Sequence, residues 1–447
     1  MRTNPKEQDA SERINNFDEV CLGYSEEEAI GEASRCIQCR NPQCVSGCPV
    51  NIDIPGFIRM IKEGNYDEAL RIIKEKNNLP GVCGRVCPQE SQCEGSCILG
   101  IRGDAVNIGK LERYAADSGK NDEAKKSESR EKRVAVIGSG PAGLTCAADL
   151  AKKGYSVKIY EALHDTGGVL RYGIPKFRLP SKIVDDEINR IKELGVEIET
   201  NIVIGKTMSF QSLVDNFDAV FIGAGAGLPY FMNIPGENLQ NVYSANEFLT
   251  RCNLMNAKEF PDYKTPVKRA SRCVVVGGGN VAMDAARTAR RLGAEVIIVY
   301  RRSEKEMPAR IEEVEHAKQE GIRFQMLTNP VKISGDRKVS GIECVKMELG
   351  EADESGRRKP FSVEGSNFVI PCDQVIIAIG QGPNPLLIKQ LDLKTGKKGN
   401  LIVDDEMRAS NPKVWAAGDI ASGDSSVIEA MGGAKRAAAS IDRFLRQ

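Results

Sequence analysis

Residues 134–143 read Val-Ala-Val-Ile-Gly-Ser-Gly-Pro-Ala-Gly, and this stretch decides the fold. Its apolar first half predicts a buried strand, and its glycines fit the pattern G-x-G-x-x-G at the start of a helix. The first glycine permits a tight turn, the second lets the backbone approach a pyrophosphate, and the third lets the helix pack on the strand. The helix N-terminus adds free N–H groups and partial positive charge. We therefore predict a dinucleotide site formed by Gly138, Gly140, Pro141, Ala142 and Gly143.

The sequence after this loop favours a dinucleotide site over an ordinary strand-turn-helix. Residues 155–160 are typical of the next strand, and Glu161 follows them. A carboxylate at that position can hydrogen-bond a ribose 2′-OH, which FAD leaves free. Residues 218–227 form another strand followed by glycines, but no helix and acidic residue follow in register. We therefore predict no nucleotide site there.

A second strand-turn-helix begins at residue 273, with a glycine loop that fits G-x-G-x-x-A. We predict nucleotide contacts there from Gly277, Gly279, Asn280 and Ala282. The next strand ends in Arg301 and Arg302, where an acidic residue would mark NAD. Two guanidinium groups at this position can bind a 2′-phosphate through charge-assisted hydrogen bonds. The second nucleotide is therefore predicted to be NADPH, with NADH as the alternative, and the first is predicted to be FAD.

The composition excludes several classes of protein. The 447 residues suggest two or three domains, and Lys plus Arg equals Asp plus Glu at 62 each. This balance argues against a nucleic-acid surface or a basic membrane patch. Since no apolar run is long enough to span a membrane and the N-terminus lacks a signal-peptide core, we expect a cytoplasmic protein. The two histidines, His164 and His316, are too few for histidine-based zinc sites or triads, and we expect both at the surface.

The 14 cysteines are unevenly placed. Eight of them fall into two groups of four, which are Cys36, Cys39, Cys44 and Cys48, and then Cys83, Cys87, Cys93 and Cys97. Clustering of this kind favours metal over disulfides, and a run that ends in Cys-Pro is typical of ferredoxins. Spacing alone predicts one [4Fe–4S] cluster for each group, with two zinc sites as the rival. Zinc would give a redox protein nothing that conducts electrons.

The order of these motifs resembles a known family. Residues 36–51 (CIQCRNPQCVSGCPVN), 83–88 (CGRVCP) and 106–113 (VNIGKLER) resemble the N-terminal domain of NADPH-dependent glutamate synthase small subunits. Dihydropyrimidine dehydrogenase and the large, electron-bifurcating subunit of NADH-dependent ferredoxin:NADP oxidoreductase carry a similar domain. The resemblance extends from about residue 15 to the C-terminus.

The resemblance implies a crossed set of cluster ligands. One cluster would take Cys36, Cys39, Cys44 and Cys97. The other would take Cys48, Cys87, Cys93 and the carboxylate of Glu112, where some relatives have glutamine. Cys83 would then be a spare, buried thiol. The alternative for Glu112 is a solvated helix residue.

The resemblance also assigns residues to the flavin. It implies FAD contacts from Gly167, Gly168, Gly173, Gly418 and Asp419. Nearby cations would either meet cofactor phosphates or form surface salt bridges, and these are Arg171, Lys176 and Arg178. No Cys-x-x-Cys accompanies either nucleotide motif, so disulfide-reductase chemistry is not expected. No side chain is predicted to act as a catalytic acid or base.

These motifs together predict an α/β protein with two Rossmann-like dinucleotide-binding domains, for FAD and NADPH, after an α-helical domain with two [4Fe–4S] clusters. The predicted bounds are 1–130 for the helical domain with its linker, 131–240 and 373–447 for the FAD-binding domain, and 241–372 for the NADPH-binding domain. Residues 117–133 are charged and predict the linker. Residues 331–371 predict a small antiparallel meander with turns at 335–336 and 354–356.

The function implied is an NADPH oxidoreductase that passes electrons through FAD and two clusters to a partner chain. The first hypothesis is the small subunit of glutamate synthase, whose large chain would form glutamate from glutamine and 2-oxoglutarate. The alternative is the bifurcating subunit of NADH-dependent ferredoxin:NADP oxidoreductase, whose partner would be a small FAD/[2Fe–2S] subunit. Ferredoxin is a further candidate acceptor. A cluster-bearing scaffold without activity would predict no NADPH oxidation.

Overall fold

The computed structural model describes residues 2–120, 128–353 and 356–447. Residues 121–127 of the predicted linker and residues 354–355 of the predicted turn at 354–356 lie outside these ranges. Within them, no helix is both long enough and apolar enough to cross a membrane.

The first part of the chain is helical. Helix α2 begins after its N-cap Ser25, because the side chains of Ser25 and Glu28 bond each other's backbone N–H groups. The elements of this domain are β1 (Lys6–Glu7), α1 (Ala10–Arg13), β2 (Cys21–Gly23), α2 (Glu26–Ala33), α3 (Gln43–Ser46), α4 (Ile54–Lys62), α5 (Tyr66–Lys74), α6 (Pro80–Val86) and α7 (Ile108–Ser118). Short 3₁₀ turns follow α6, at Gln89–Ser91 and Ile98–Ile101.

Two domains built on parallel sheets come next. The first begins with β3 (Arg133–Ile137), α8 (Pro141–Lys152), β4 (Ser156–Tyr160), α9 (Val169–Tyr172), α10 (Ser181–Glu193), β5 (Glu197–Glu199), α11 (Phe210–Asn216) and β6 (Ala219–Ile222). The second runs through β7 (Leu228–Pro229), β8 (Val242–Ser244), α12 (Ala245–Asn253), β9 (Arg272–Val276), α13 (Asn280–Arg291), β10 (Glu295–Val299), α14 (Ile311–Gln319), β11 (Arg323–Gln325), β12 (Thr328–Gly335), β13 (Val339–Ala352), β14 (Arg358–Ser362), β15 (Phe368–Pro371), β16 (Gln374–Ile377) and β17 (Gln381–Gly382). The chain then returns to the first domain with α15 (Pro385–Ile388), β18 (Val414–Ala416), α16 (Asp419–Ser422) and α17 (Val427–Leu445).

The strand orders show how the chain crosses between the two domains. In the described part of the chain the first sheet has the order β18-β6-β3-β4-β5 and the second the order β11-β10-β9-β16-β8, both parallel. The predicted meander is confirmed as antiparallel β12, β13, β14 and β15. The two crossing segments pair with each other as β7 and β17.

One predicted boundary is wrong. Strand β16 was assigned to the FAD-binding domain, but it lies between β9 and β8 of the second sheet. Its residues are fully buried there, because helices and the meander cover both faces of that sheet. The second domain therefore extends past residue 372 to the crossing at β17.

The helical domain and the first sheet share one hydrophobic core. This core runs without interruption from Phe57 and Leu111 through Leu144 of α8 to Met431 of α17. The second sheet has separate cores on its two faces. Ion pairs join it to the helical domain, as between the buried Arg13 and Glu320 (2.9 Å) and between the half-buried Lys110 and Glu312 (2.6 Å).

Candidate functional site

The first and third glycines of the first glycine loop, Gly138 and Gly143, are packed so closely that they have no room for side chains. A Cβ on Gly143 would collide with the carbonyl oxygen of Gly138. A Cβ on Gly168 would lie 2.9 Å from the Cα of Gly140, and Gly168 has a φ of +54°. A Cβ on Gly140, by contrast, would meet no described atom within 4 Å. The loop therefore leaves open space at the N-terminus of α8, as a pyrophosphate requires.

Glu161 stands beside this loop, as predicted. It is buried, and its Oε2 accepts hydrogen bonds from the backbone N–H (2.8 Å) and the hydroxyl (2.6 Å) of Ser139. The hydroxyl oxygen of Ser139 in turn accepts from the N–H of Gly167 at 3.0 Å. Residues from two later segments are thus tied to the first loop, and Ser139 is a link that the motif analysis missed.

The far end of the chain completes this site. Gly418 has a φ of +77°, and a Cβ there would lie 3.4 Å from the Cβ of Ala142 in α8. Asp419 follows, and its Oδ1 accepts from the N–H of Ser425 at 2.9 Å. Burial raises the pKa of Asp419 to about 6, and the neighbouring charge of Asp424 adds to this. The predicted Gly-Gly and Gly-Asp segments therefore meet at the glycine loop, although they are far apart in sequence.

The second glycine loop resembles the first in having a tightly packed first glycine and open space at its second glycine, but different residues surround it. Gly277 has a φ of +144°, and a Cβ there would collide with the carbonyl oxygen of Ala378, just after β16. The nearest described atom to a Cβ on Gly279 is Pro308 Cγ at 3.8 Å, so space is open in front of it. Ala282 is buried against the sheet, and the side chain of Asn280 accepts from the backbone of the residue before α14.

The two predicted phosphate-binding arginines differ. Arg301 is exposed and has no hydrogen-bond or ion-pair partner among the described residues. Arg302 is buried: it pairs with Asp353 (2.7 Å) and donates from Nε to the carbonyl of Arg358 (2.8 Å). The prediction that both guanidinium groups are available is therefore wrong for Arg302, because the meander of the second domain already engages it.

Four predicted cluster ligands form one group at the surface, here called the outer group: Cys36, Cys39, Cys44 and Cys97. All four are partly exposed and unpaired. Burial, together with the nearby thiols of Cys97 and Cys36, raises the pKa of Cys44 to about 12. Cys97 thus joins the first three cysteines across a long stretch of sequence, which agrees with the crossed arrangement and not with spacing alone.

The remaining predicted ligands form a buried inner group: Cys48, Cys87, Cys93 and Glu112. Burial raises the pKa of Cys48 to about 11, and Glu112 and Cys87 are close enough to add to this shift. Glu112 is only 5% exposed, so its alternative as a solvated residue is wrong. Burial raises the pKa of Glu112 to about 8, opposed by a hydrogen bond of 2.7 Å from the side chain of Asn77.

Cys83 lies beside the inner group and is fully buried, as expected for a spare thiol. Its Sγ lies 3.7 Å from Asn77 Oδ1 and 3.7 Å from the sulfur of Met431 in α17. Asn77 and Met431 belong to no motif, so only the folded chain brings them to this position. The inner group therefore adjoins the helix that follows the Gly-Asp segment.

Two expectations about charged residues are corrected. His164 is exposed, but His316 is only 5% exposed, and its Nε2 lies 3.0 Å from Glu7 of the N-terminal segment that covers it.

Arg171 pairs with Asp165 and Asp185, as the salt-bridge alternative expects. Arg178 instead forms buried pairs, with Asp284 at 2.7 Å and Glu313 at 2.9 Å, because it lies between the two sheet domains.

Comparison with known proteins agrees with this arrangement. Residues 132–440 match the pyridine nucleotide-disulphide oxidoreductase family, and residues 13–124 match dihydropyrimidine dehydrogenase domain II, 4Fe-4S cluster. The glutamate synthase [NADPH] small chain of Halomonas elongata is 36% identical, over 99% of this chain and 96% of its own length. The chain belongs to the glutamate synthase small-chain family. The predicted α/β class, with Rossmann-like domains after an N-terminal 4Fe-4S domain, is confirmed.

Two further proteins define the breadth of the similarity. The NADP(+)-dependent formate dehydrogenase subunit beta of Moorella thermoacetica is 40% identical over 90% of this chain, which covers 60% of that protein. The structure of Mycobacterium tuberculosis FprA in complex with NADPH has a TM-score of 0.61 at 22% identity, over 71% of this chain and 85% of FprA. The chain is thus an oxidoreductase, and its matched regions indicate binding of FAD and NAD(P) together with a 4Fe-4S domain. Because these relatives are subunits of larger enzymes, a partner subunit is implied.

Proposed function

We propose that this chain is the NADPH-oxidising small subunit of a glutamate synthase, which passes electrons through FAD and two [4Fe–4S] clusters to a large subunit. One observation carries the proposal: two open glycine loops and two cysteine groups lie along one folded chain. The inner group shares a continuous core with α8 and α17 of the first domain. Gly432 of α17 is so close to the backbone of Pro49 that a Cβ would lie 2.7 Å from its oxygen.

The first loop would hold FAD. The residues that would surround it are Gly138, Gly140, Pro141, Ala142, Gly143, Glu161, Gly167, Gly168, Gly173, Gly418 and Asp419. The space in front of Gly140 fits a pyrophosphate, since a Cβ there meets nothing while the glycines around it are fully packed. Helix α17 begins at Ser426, close to Asp419, so its N-terminal partial positive charge would face the flavin and favour its reduced, anionic form.

The second loop would hold NADPH through Gly277, Gly279, Asn280 and Ala282. Arg301 would bind the 2′-phosphate, because it is the exposed and unpaired member of the arginine pair within the described chain. Arg302 would position that strand end by its bonds to the meander. NADH remains the alternative nucleotide.

The outer and inner groups would each hold a [4Fe–4S] cluster. Seven thiols and one carboxylate are a donor set that suits iron, and thiolates are the usual ligands of such clusters. When bound, these cofactors supply all the redox chemistry, which is hydride exchange with the nicotinamide and one-electron exchange with the clusters. The protein positions the cofactors and excludes water from the inner group.

The outer group would be the exit for electrons. Its cysteines are flanked by exposed apolar side chains, namely Ile37, Ile98 and Ile101, of which Ile101 is 77% exposed. Arg40 and Arg102 lie beside them in sequence; both are exposed and have no hydrogen-bond or ion-pair partner among the described residues. An apolar patch with a basic rim favours a partner chain with an acidic rim.

The names of the relatives supply two candidate partners. Relatives named glutamate synthase [NADPH] small chain cover this chain almost completely, which favours a glutamate synthase large chain. A relative of higher identity is a subunit of an NADP-dependent formate dehydrogenase, which favours a different partner as the second candidate. A bifurcating role would instead require a small FAD/[2Fe–2S] chain.

The test is mild anaerobic purification from the native source, with mass spectrometry of co-eluting chains and with iron, flavin and NADPH-oxidation assays. Co-elution of a large chain with an FMN-type glutamate synthase domain would support the proposal. A small FAD/[2Fe–2S] chain, or another oxidoreductase subunit, would replace glutamate synthase with the corresponding alternative. Zinc without iron, or a flavin-free chain that leaves NADPH unoxidised, would overturn the redox assignment itself.

A further inference from the structure

Arg310 lies between the second glycine loop and the inner group. It immediately precedes α14 and is only 6% exposed. Its backbone N–H donates to the side-chain oxygen of Asn280 at 2.9 Å, and the N–H of Ala309 donates to the carbonyl of Gly278 at 3.2 Å. The main chain at Arg310 is therefore attached directly to the loop that faces the second nucleotide.

The side chain of Arg310 points the other way, into the helical domain. Its Nη1 donates to the carbonyl of Arg85 at 3.0 Å and its Nη2 to Gln89 Oε1 at 3.1 Å. These two partners flank Cys87 of the inner group in sequence. Gln89 also donates to the carbonyl of Cys83 at 3.1 Å. One buried guanidinium thus holds the segment that carries an inner-group cysteine.

The ion pairs around Arg310 reach a second element of the inner group. The carboxylate of Glu312 accepts a hydrogen bond from the Arg310 guanidinium at 2.7 Å. It also pairs with Lys110 of α7, and Lys110 lies two residues before Glu112. The second domain therefore contacts both of the elements that bring Cys87 and Glu112 to the inner group.

We propose that Arg310 couples nucleotide occupancy at the second glycine loop to the reduction potential of the inner cluster. This inference rests on the proposed function. Reduction adds negative charge to a cluster, so a buried cation beside it favours the reduced form and raises the potential. A nucleotide that displaces Asn280 would also displace Arg310, and with it the charge and the hydrogen bonds around Cys87. Arg310 is a positioning residue and takes no part in hydride transfer.

The test is an EPR-monitored redox titration of the anaerobically purified full chain, with and without NADP+. A Cys39→Ala variant assigns the outer signal by removing it. In the wild type we expect NADP+ to shift the midpoint potential of the inner cluster. Because the coupling is reciprocal, the dissociation constant of NADP+ should change about fivefold when the cluster is reduced. In Arg310→Gln the inner midpoint should fall, the NADP+ shift should disappear, and the outer signal should stay unchanged.

Two variants separate charge from connection. Arg310→Lys keeps the charge but cannot bridge Arg85 and Gln89, so it should retain the midpoint and lose the NADP+ shift. Arg290→Gln is the matched control, since Arg290 donates to Glu320 and Ala294 within its own domain. The proposal would be overturned if Arg310→Gln left both the midpoint potential of the inner cluster and its shift with NADP+ unchanged. If Arg310→Gln binds no iron, an unchanged NADP+ shift in Arg310→Lys would overturn the proposal instead. Failure of the wild type to hold iron or NADP+ would instead refute the proposed function.

Discussion

The two glycine loops follow one plan, and their differences separate the two nucleotide sites. Each has a first glycine at positive φ packed against a distant carbonyl and a second glycine facing open space. The third position is Gly143 in the first loop, without room for a methyl group, and Ala282 in the second, where a methyl group is buried in the core. The strands that follow end in Glu161 and Arg301. On the proposed assignment, the packing of each loop leaves room for a pyrophosphate, and one side chain after the next strand would select between a ribose 2′-OH and a 2′-phosphate.

The largest expected effect comes from exchanging the third positions. Gly143→Ala would place a methyl group on the carbonyl oxygen of Gly138, and overpacking of this kind costs about 1–3 kcal/mol or more. We expect loss of bound FAD and a lower melting temperature, measured by flavin absorbance and calorimetry. The matched variant Ala282→Gly creates no clash and should cost only about 1 kcal/mol from helix propensity. Equal FAD content in Gly143→Ala and wild type would contradict the packing argument.

The second effect concerns charge. Arg301→Glu removes a charge-assisted hydrogen bond worth about 1.5–3 kcal/mol, so kcat/KM for NADPH should fall roughly 10- to 100-fold while that for NADH changes little. The control is Arg302→Gln, which should lower stability and affect both nucleotides alike, because Arg302 is bonded to Asp353. If the two variants change the nucleotide preference equally, then Arg302 is also a phosphate ligand.

A smaller effect is expected at the far end of the chain. Asp419→Ala removes a half-buried carboxylate that orders the segment before α17, and we expect FAD to dissociate about tenfold more readily, equivalent to about 1.4 kcal/mol. Equilibrium dialysis against FAD measures this. Asp424→Ala, on the same segment, is the control and should retain flavin. Full flavin occupancy in Asp419→Ala after dialysis would remove this residue from the site.

The smallest effect is expected from Ser139→Ala. The hydroxyl links Glu161 to Gly167. Because Glu161 keeps its hydrogen bond from the backbone N–H of Ser139, we expect the loss of the hydroxyl to cost about 0.5–1.5 kcal/mol, as for a typical hydrogen bond. FAD affinity should fall by a few-fold. The control is Ser303→Ala in the second domain, whose hydroxyl also bonds a glutamate, and it should leave FAD affinity unchanged. A similar loss in both variants would mean that stability, and not loop geometry, controls flavin binding.

Patterns local in sequence predicted most of the fold. The strand-glycine-helix units and the antiparallel meander were predicted correctly, because each depends on residues within a few positions of one another. Spacing could not predict that Cys97 joins the outer group, and this came only from a family resemblance. Strand β16 was assigned to the wrong sheet, since an apolar strand carries no mark of its neighbours.

Tertiary structure decided the properties that depend on surroundings. Arg301 and Arg302 are identical and adjacent in sequence, yet one is exposed and the other is bonded to the meander. His316 is buried only because the N-terminal segment covers it. Arg310 shows no motif at all. The sequence by itself determined which backbone turns can form, because glycine and strand patterns act locally. Only folding decided which charges are free, buried or coupled, because that depends on partners brought together from distant parts of the chain.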